Sequence, residues 1–74
     1  MKKVLVTGAT GFIGRHVVRA NVKNGNEVRA LVLPGDEGVA ILKKLGVETV
    51  TGDIRDYGAV SKAAAGREII FHCA

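Results

Sequence analysis

Val4-Leu5-Val6-Thr7-Gly8-Ala9-Thr10-Gly11-Phe12-Ile13-Gly14 decides how the other residues are arranged. A short aliphatic and β-branched run, Lys3 to Thr7, gives way to three glycines spaced three apart, and an amphipathic segment follows at once. Strand, glycine turn, helix is an order that presents bare backbone N–H groups and a helix N-terminus to a phosphate. Glycine clusters also mark ordinary turns. Here the strand before and the helix after are both legible, which is the context a phosphate loop needs. The stretch therefore predicts a dinucleotide-binding turn rather than a structural loop.

Working outward, strand-like and helix-like segments alternate along the chain, the pattern of an α/β fold with a parallel sheet. The first strand is Lys3 to Thr7. The first helix runs from about Gly11 to Asn24, with Val17, Val18 and Val22 on one stripe and Gly25 as a left-handed cap. Asn21 falls on that stripe where a leucine is expected, so it is hydrogen-bonded, near an edge, or a weak point. The second strand is Glu27 to Leu33, stopped by Pro34-Gly35. Asp36 then caps a helix reaching about Leu45, which buries Ile41, Leu42 and Leu45 and ends at Gly46. Val47 to Thr51 is the third strand. Asp56 caps a third helix, Tyr57 to Ala65, whose small apolar face is Val60, Ala63 and Ala64. The fourth strand, Glu68 to Cys73, is nearly all apolar, as a strand buried on both faces should be.

Right-handed crossovers restrict the order of these strands. The doubly wound, Rossmann-type solution is 3-2-1-4, with four strands, three helices and a change of direction between strands 1 and 4. Ligands bind at such a switch point, beyond the carboxyl ends of the strands. Thr7-Gly8, Val32-Leu33, Gly52-Asp53 and His72-Cys73-Ala74 converge there.

The 74 residues carry a net charge of +4, from eleven Lys and Arg against seven Asp and Glu. The positive residues are dispersed and only three aromatics are present. Nucleic-acid binding would want a concentrated basic stripe with exposed aromatics, so the charge reads as a solvated surface with a mild attraction for anions. No apolar run approaches the ~20 residues of a membrane span. The run after Lys2 and Lys3 is too short for a signal peptide. Lone Cys73 forms no internal disulfide and suits a reducing, cytoplasmic setting. A chain this short buries only about 60% of its unfolded surface, so stability is marginal. The sequence also stops at the tip of an apolar strand, which suggests the front part of a longer protein or a truncated product.

The three-and-three spacing of Thr7-Gly8-Ala9-Thr10-Gly11-Phe12-Ile13-Gly14 resembles the signature of the short-chain dehydrogenase/reductase superfamily. It is most similar to the extended branch of NAD(P)-dependent epimerases, dehydratases and reductases. Gly52-Asp53-Ile54-Arg55-Asp56 is similar to that family's Gly-Asp-Leu/Ile-x-Asp segment. Ile70-Phe71-His72-Cys73-Ala74 resembles its fourth strand. The resemblance implies that Gly8, Thr10, Gly11, Phe12, Ile13 and Gly14 cradle a pyrophosphate and that Asp53 and Ile54 meet adenine. It also implies that Cys73 and Ala74 lie beside the nicotinamide ribose. A turn-capping role is the alternative for Asp53, although Asp56 already takes the helix cap.

Cofactor choice is expected at the end of the second strand, where a carboxylate would hold the ribose hydroxyls of NAD and an arginine would accept the extra phosphate of NADP. Val32 and Leu33 are neither. Asp36 and Glu37 read better as a helix start. Arg15, directly after the third glycine, either reaches a 2′-phosphate or is a plain exposed helix residue, and the balance leans to NADP over NAD. The family's catalytic Tyr-x-x-x-Lys pair is not present: after Tyr57, Ser61 stands four residues on and Lys62 one position too late. No catalytic residue is therefore assigned. His16, His72 and Cys73 have no partners at metal-ligand spacing, so no metal site is expected either. His72 reads as a strand residue near the cofactor rather than a general base. The expected function is to hold NAD(P) for an oxidoreductase or epimerase parent, cytoplasmic and homodimeric, acting on nucleotide-sugars or small carbonyl compounds. A non-catalytic NAD(P)-sensing module and a short product that binds nothing are the rival readings.

Overall fold

A computed structural model describes residues 1–73 of the chain. Four parallel strands, β1 (Lys3–Thr7), β2 (Glu27–Val32), β3 (Glu48–Thr51) and β4 (Ile69–His72), form one sheet in the order β3-β2-β1-β4. Three helices connect them: α1 (Phe12–Lys23), α2 (Val39–Lys44) and α3 (Tyr57–Ala64). This is the Rossmann-type doubly wound order expected from the sequence, with the reversal between β1 and β4. The register pairs Thr7 with Leu31 of β2 and His72 of β4, so the switch point opens directly above Thr7.

Strand β1 is the centre of the packing. Val4, Leu5 and Val6 are fully buried, and their alternation sends Val4 and Val6 to one face and Leu5 to the other. The Val4/Val6 face packs with Val18 of α1 and Leu42 of α2, while the Leu5 face packs with Leu31 and with Ala63 of α3. Helix α1 carries Val17, Val18 and Val22 despite the modest helix propensity of valine, because burial of that stripe outweighs the propensity cost. The Gly25 cap forms as expected, at φ +77°.

Asn21 is hydrogen-bonded, which resolves its place on the apolar stripe. Its Nδ2 donates to the Val17 carbonyl at 2.9 Å, and its Oδ1 accepts from Asn26 Nδ2 at 2.9 Å. Asn26 Oδ1 in turn accepts from the Lys2 backbone N–H at 3.0 Å, so the two amides tie the end of α1 to the start of β1. Arg29 does comparable work for α3. Its Nη1 donates to the Ala63 and Ala65 carbonyls at 2.9 Å each, a cation placed on the helix C-terminus where the dipole favours it.

Four details differ from the sequence-based expectation. Helix α2 begins at Val39 rather than after Asp36, because Gly35 turns the chain at φ +78° and the Asp36 carboxylate folds back onto the Gly38 N–H at 2.8 Å. Ile41 is 55% exposed: with only six residues, α2 sets Leu42 against the sheet and leaves its neighbour outside. Strand β2 stops at Val32, leaving Leu33 exposed on the rim. Strand β4 is not buried on both faces, since Ile69 and Ile70 are exposed. Among the described residues it pairs with β1 alone, and α3 packs over β2. No helix is long and apolar enough to cross a membrane.

Gly14 is the closest steric constraint in the fold. A Cβ there would strike the Gly8 carbonyl oxygen and lie 2.7 Å from its carbon and 2.9 Å from Ala9 Cα, all backbone atoms that cannot swing aside. Gly14→Ala is expected to cost about 1–3 kcal/mol, the range for overpacking a tight site. Urea unfolding of the variant against the parent chain checks this, and an unchanged midpoint would contradict the packing described.

Candidate functional site

The turn between β1 and α1 is shaped by two glycines. Gly8 leaves the strand at φ +64°, a left-handed conformation that side chains disfavour, and its carbonyl accepts the Gly11 N–H at 3.1 Å. Gly14 then lets α1 settle on that same carbonyl. Helix α1 starts with Gly11 as its N-cap residue, with no side-chain cap and no acidic residue in its first turn. Its first N–H groups therefore have no intrahelical acceptor and no side chain answering them. Helix α3 is the contrast, because Asp56 accepts from Gly58 N and Ala59 N at 2.9 and 3.3 Å. The positive end of α1 is open and that of α3 is closed.

A cleft of about 290 Å³ lies over the carboxyl ends of the strands. Thr7 to Thr10 form its floor, Leu31 to Leu33 and Asp36 one wall, and Gly52 to Arg55 the other. It is at the small end of ligand clefts, which run ~300–1,000 Å³. Of the residues singled out from the sequence, the cleft brings together Gly8, Thr10, Asp53 and Ile54. Gly11 and Gly14 shape the turn beside it. Phe12 and Ile13 are exposed and do not line it. Cys73 is half-buried against the Val4/Val6 face, with its N–H donating to the Thr7 carbonyl at 3.1 Å. Ala74 lies outside the described residues.

Arg15 points away from the cleft. Its guanidinium sits 5.4 Å from the centre of the Phe12 ring, and together with Arg19 it lines a smaller hollow on the far side of Ala9 and Thr10. Neither arginine makes an ion pair among the described residues. His72 faces Thr7, with 2.8 Å between its Nδ1 and the threonine Oγ1. Tyr57 is exposed at the start of α3.

Two wall residues are not assigned to the site from the sequence: Asp36 is weighed there and set aside as a helix start, and Arg55 is not singled out. Asp36 lies on the rim because Thr10 Oγ1 donates to its Oδ2 at 2.6 Å, a contact across 26 positions of sequence that no spacing rule predicts. Arg55 is bound to Asp53 through its backbone N–H at 2.8 Å, its Nε at 3.0 Å and its Nη2 at 2.6 Å. The only signal for this pair was the Asp-x-Arg spacing in a turn. The side-chain hydrogen bonds from Arg55, then its backbone N–H, hold the Asp53 carboxyl down at about 2. The same contacts raise Arg55 above the usual arginine value.

These features define a Rossmann-type α/β site, an open helix N-terminus beside a cleft at a topological switch point. Comparison with known proteins agrees. The chain belongs to the NmrA-like family, whose model matches residues 1–74. It is 44% identical over 71 residues to a ceramide reductase of Caulobacter vibrioides, a match that covers 96% of this chain and 22% of that protein. Sterol demethylase protein B of Methylococcus capsulatus is 43% identical over 70 residues, covering 95% of this chain and 21% of the relative. Among solved structures, an isoflavone reductase superposes with a TM-score of 0.87 at 34% identity, covering 99% of this chain and 27% of its own. AtPrR2 with NADP+ and (+)pinoresinol gives 0.88 at 28% identity, covering 99% and 26%. The chain thus spans about a fifth of the length of these curated relatives.

The Asp53–Arg55 pair has a pH consequence. A carboxyl whose folded pKa is depressed adds stability above its ordinary value, and that contribution is lost as pH falls through the folded pKa. The contribution of Asp53 is therefore complete above about pH 4 and lost on the way down to about 2. NMR titration is expected to find Asp53 near that lower value, and Arg55→Ala to return it towards 3.8. An Asp53 titration unchanged by the substitution would contradict the pairing.

Proposed function

We propose that the chain binds NAD(P) and serves as the cofactor-holding part of a reductase or epimerase. The observation that carries the reading is the uncapped N-terminus of α1 opening beside the cleft at the β1/β4 switch point. In this reading Gly8, Thr10, Gly11 and Gly14, with the N–H groups of Phe12 and Ile13, meet the pyrophosphate. Asp53 and Ile54 meet the adenine. Cys73, beside the Thr7–His72 pair, meets the nicotinamide side, and Ala74, outside the described residues, is assigned there by the family resemblance alone.

The residues present suit such a ligand. A floor of small residues admits a backbone-to-phosphate approach that larger side chains would block. The apolar wall of Leu31, Val32 and Leu33 suits a flat base, and the polar atoms of Asp36 and Asp53 suit ribose and amine donors. When bound, the nicotinamide supplies hydride transfer, and the protein's part is placement. No tyrosine–lysine acid–base pair at the family spacing occurs in the 74 residues. We place the proton-transfer chemistry of the parent, on nucleotide-sugar or small carbonyl substrates, in further sequence. The similarity to named reductases across nearly all of this chain, and less than a quarter of theirs, supports that division.

Within NAD(P), we favour NADP. Arg15 and Arg19 line a hollow that shares Ala9 and Thr10 with the cleft, without ion-pair partners among the described residues, and a structural neighbour was solved with NADP+. Asp36 opposes them, since a carboxylate on the cleft wall repels a 2′-phosphate. The two sides are separable by substitution. Arg15→Ala is expected to weaken NADPH binding about fivefold, the upper end for an exposed charge pair, with NADH unchanged. Asp36→Asn is expected to strengthen NADPH over NADH. Equal effects on both cofactors would remove the NADP preference.

Binding itself is tested by thermal unfolding of the chain with and without NADPH. Ligand at 100 times its dissociation constant adds about 2.7 kcal/mol to the folded state. A cooperative transition that moves upward supports the proposal. A midpoint indifferent to NADPH and NADH alike overturns it.

A further inference from the structure

We propose that Arg55 is a stacking cover for the base: when a purine enters the cleft, its guanidinium leaves Asp53 and lies flat on the ring. The inference rests on the NAD(P) reading above and adds a residue to it. It starts from a conflict in the site. Asp53 is the residue placed to accept a hydrogen bond from a purine amine, yet its carboxylate is already engaged by Arg55. Oδ1 accepts from the Arg55 backbone N–H at 2.8 Å and from Nε at 3.0 Å, and Oδ2 accepts from Nη2 at 2.6 Å and Nε at 3.2 Å. A carboxylate offers about four lone-pair sites, and these three N–H groups, with Nε–H shared between both oxygens, leave at most one of them, so an incoming amine competes with the guanidinium. The backbone contact holds Oδ1 in place, and the guanidinium is the part that can be displaced.

The displaced group stays beside the cleft that it lines. Arg55 follows Ile54 in a tight turn closed by the Asp56 N–H on the Asp53 carbonyl at 2.9 Å, so its side chain stays on the rim of the cleft it already lines. That side chain is 87% exposed and, among the described residues, bonds to Asp53 alone. The facing wall is apolar, with Leu33 exposed towards the opening. A flat base held against Leu33 and Ile54 would have one bare face, and Arg55 is the neighbouring group that can cover it. A guanidinium is planar, weakly hydrated and stacks on aromatic faces, whereas an ammonium does not stack in this way. Exchange of one contact for another also explains why the free protein can keep the acceptor paired without closing the site.

The test is calorimetric titration of the full chain and its Arg55→Ala, Arg55→Lys and Arg55→Gln variants with NADPH and with its hypoxanthine counterpart, which lacks the purine amine. Arg55→Ala is expected to weaken both ligands equally, by about tenfold, because stacking uses the ring face rather than the amine. Arg55→Lys should recover less than half of that loss. Tighter binding by Arg55→Ala would make Arg55 a competitor for Asp53 and overturn the proposal. Full recovery by lysine would make its role one of charge, and a loss confined to NADPH would make it one of Asp53 orientation; either result also overturns it. Unchanged binding by all variants overturns this inference and leaves the NAD(P) reading standing. Failure of the parent chain to bind either ligand removes both. Ligand-free thermal midpoints, lowered by no more than the loss of the exposed Asp53–Arg55 pair accounts for, confirm that the variants are folded.

Discussion

The missing Cβ of Gly14 is the constraint on which the rest of the arrangement depends. It allows the first turn of α1 to rest on the Gly8 carbonyl, which in turn requires Gly8 to leave β1 in a left-handed conformation. With that contact made, the axis of α1 is fixed over the sheet and its stripe of Val17, Val18 and Val22 meets the Val4/Val6 face. The same contact brings the uncapped end of α1 to the change of direction between β1 and β4. Packing and binding geometry are thus set by one close approach. A side chain at Gly14 would loosen both together.

Around that point the rim is organised by charges that satisfy one another while leaving the helix end open. Asp36 is held by Thr10 and by the Gly38 N–H, and Asp53 by Arg55. Both carboxylates therefore stand in fixed positions on opposite walls. Arg15 and Arg19 line a separate hollow beside Thr10 and make no ion pair among the described residues. The result is a cleft with an anion-attracting floor, acceptors on two sides and a further positive field at one corner. Such a distribution matches a ligand that carries phosphates, hydroxyls and a base amine in one molecule. The hydrogen bonds from Arg55 keep the Asp53 carboxyl well below its ordinary value.

The legible and illegible parts of this structure divide along physical lines. Strand order, the glycine turn and α3 were readable because each rests on local chemistry: alternating apolar runs, fixed turn residues, and Asp56 bonding to N–H groups two and three residues on. Helix α2 was misplaced because Asp36 has two possible partners, the next helix or Thr10, and only the tertiary fold decides between them. The exposure of Ile69 and Ile70 was missed for a related reason. An all-apolar strand announces that it is to be covered, but composition does not say which element covers it. Asn21 shows the converse, a polar residue in an apolar stripe whose partner, Asn26, sits five positions away in the following turn. In the site itself the glycine turn was evident, Asp36 was weighed from the sequence but set aside as a helix start, and Arg55 emerged only from geometry.

Membership of the NmrA-like family, and the similarity to reductases over nearly the whole chain, agree with the fold and the site. The central claim is narrower: the open end of α1 and the Asp53 wall form one binding site. Amide chemical-shift mapping with NADPH addresses it most directly, residue by residue. The account predicts the largest shifts at Gly8 to Gly14 and Gly52 to Arg55, saturating together with one dissociation constant. Shifts confined to one of these two segments, or centred elsewhere on the sheet, would contradict it.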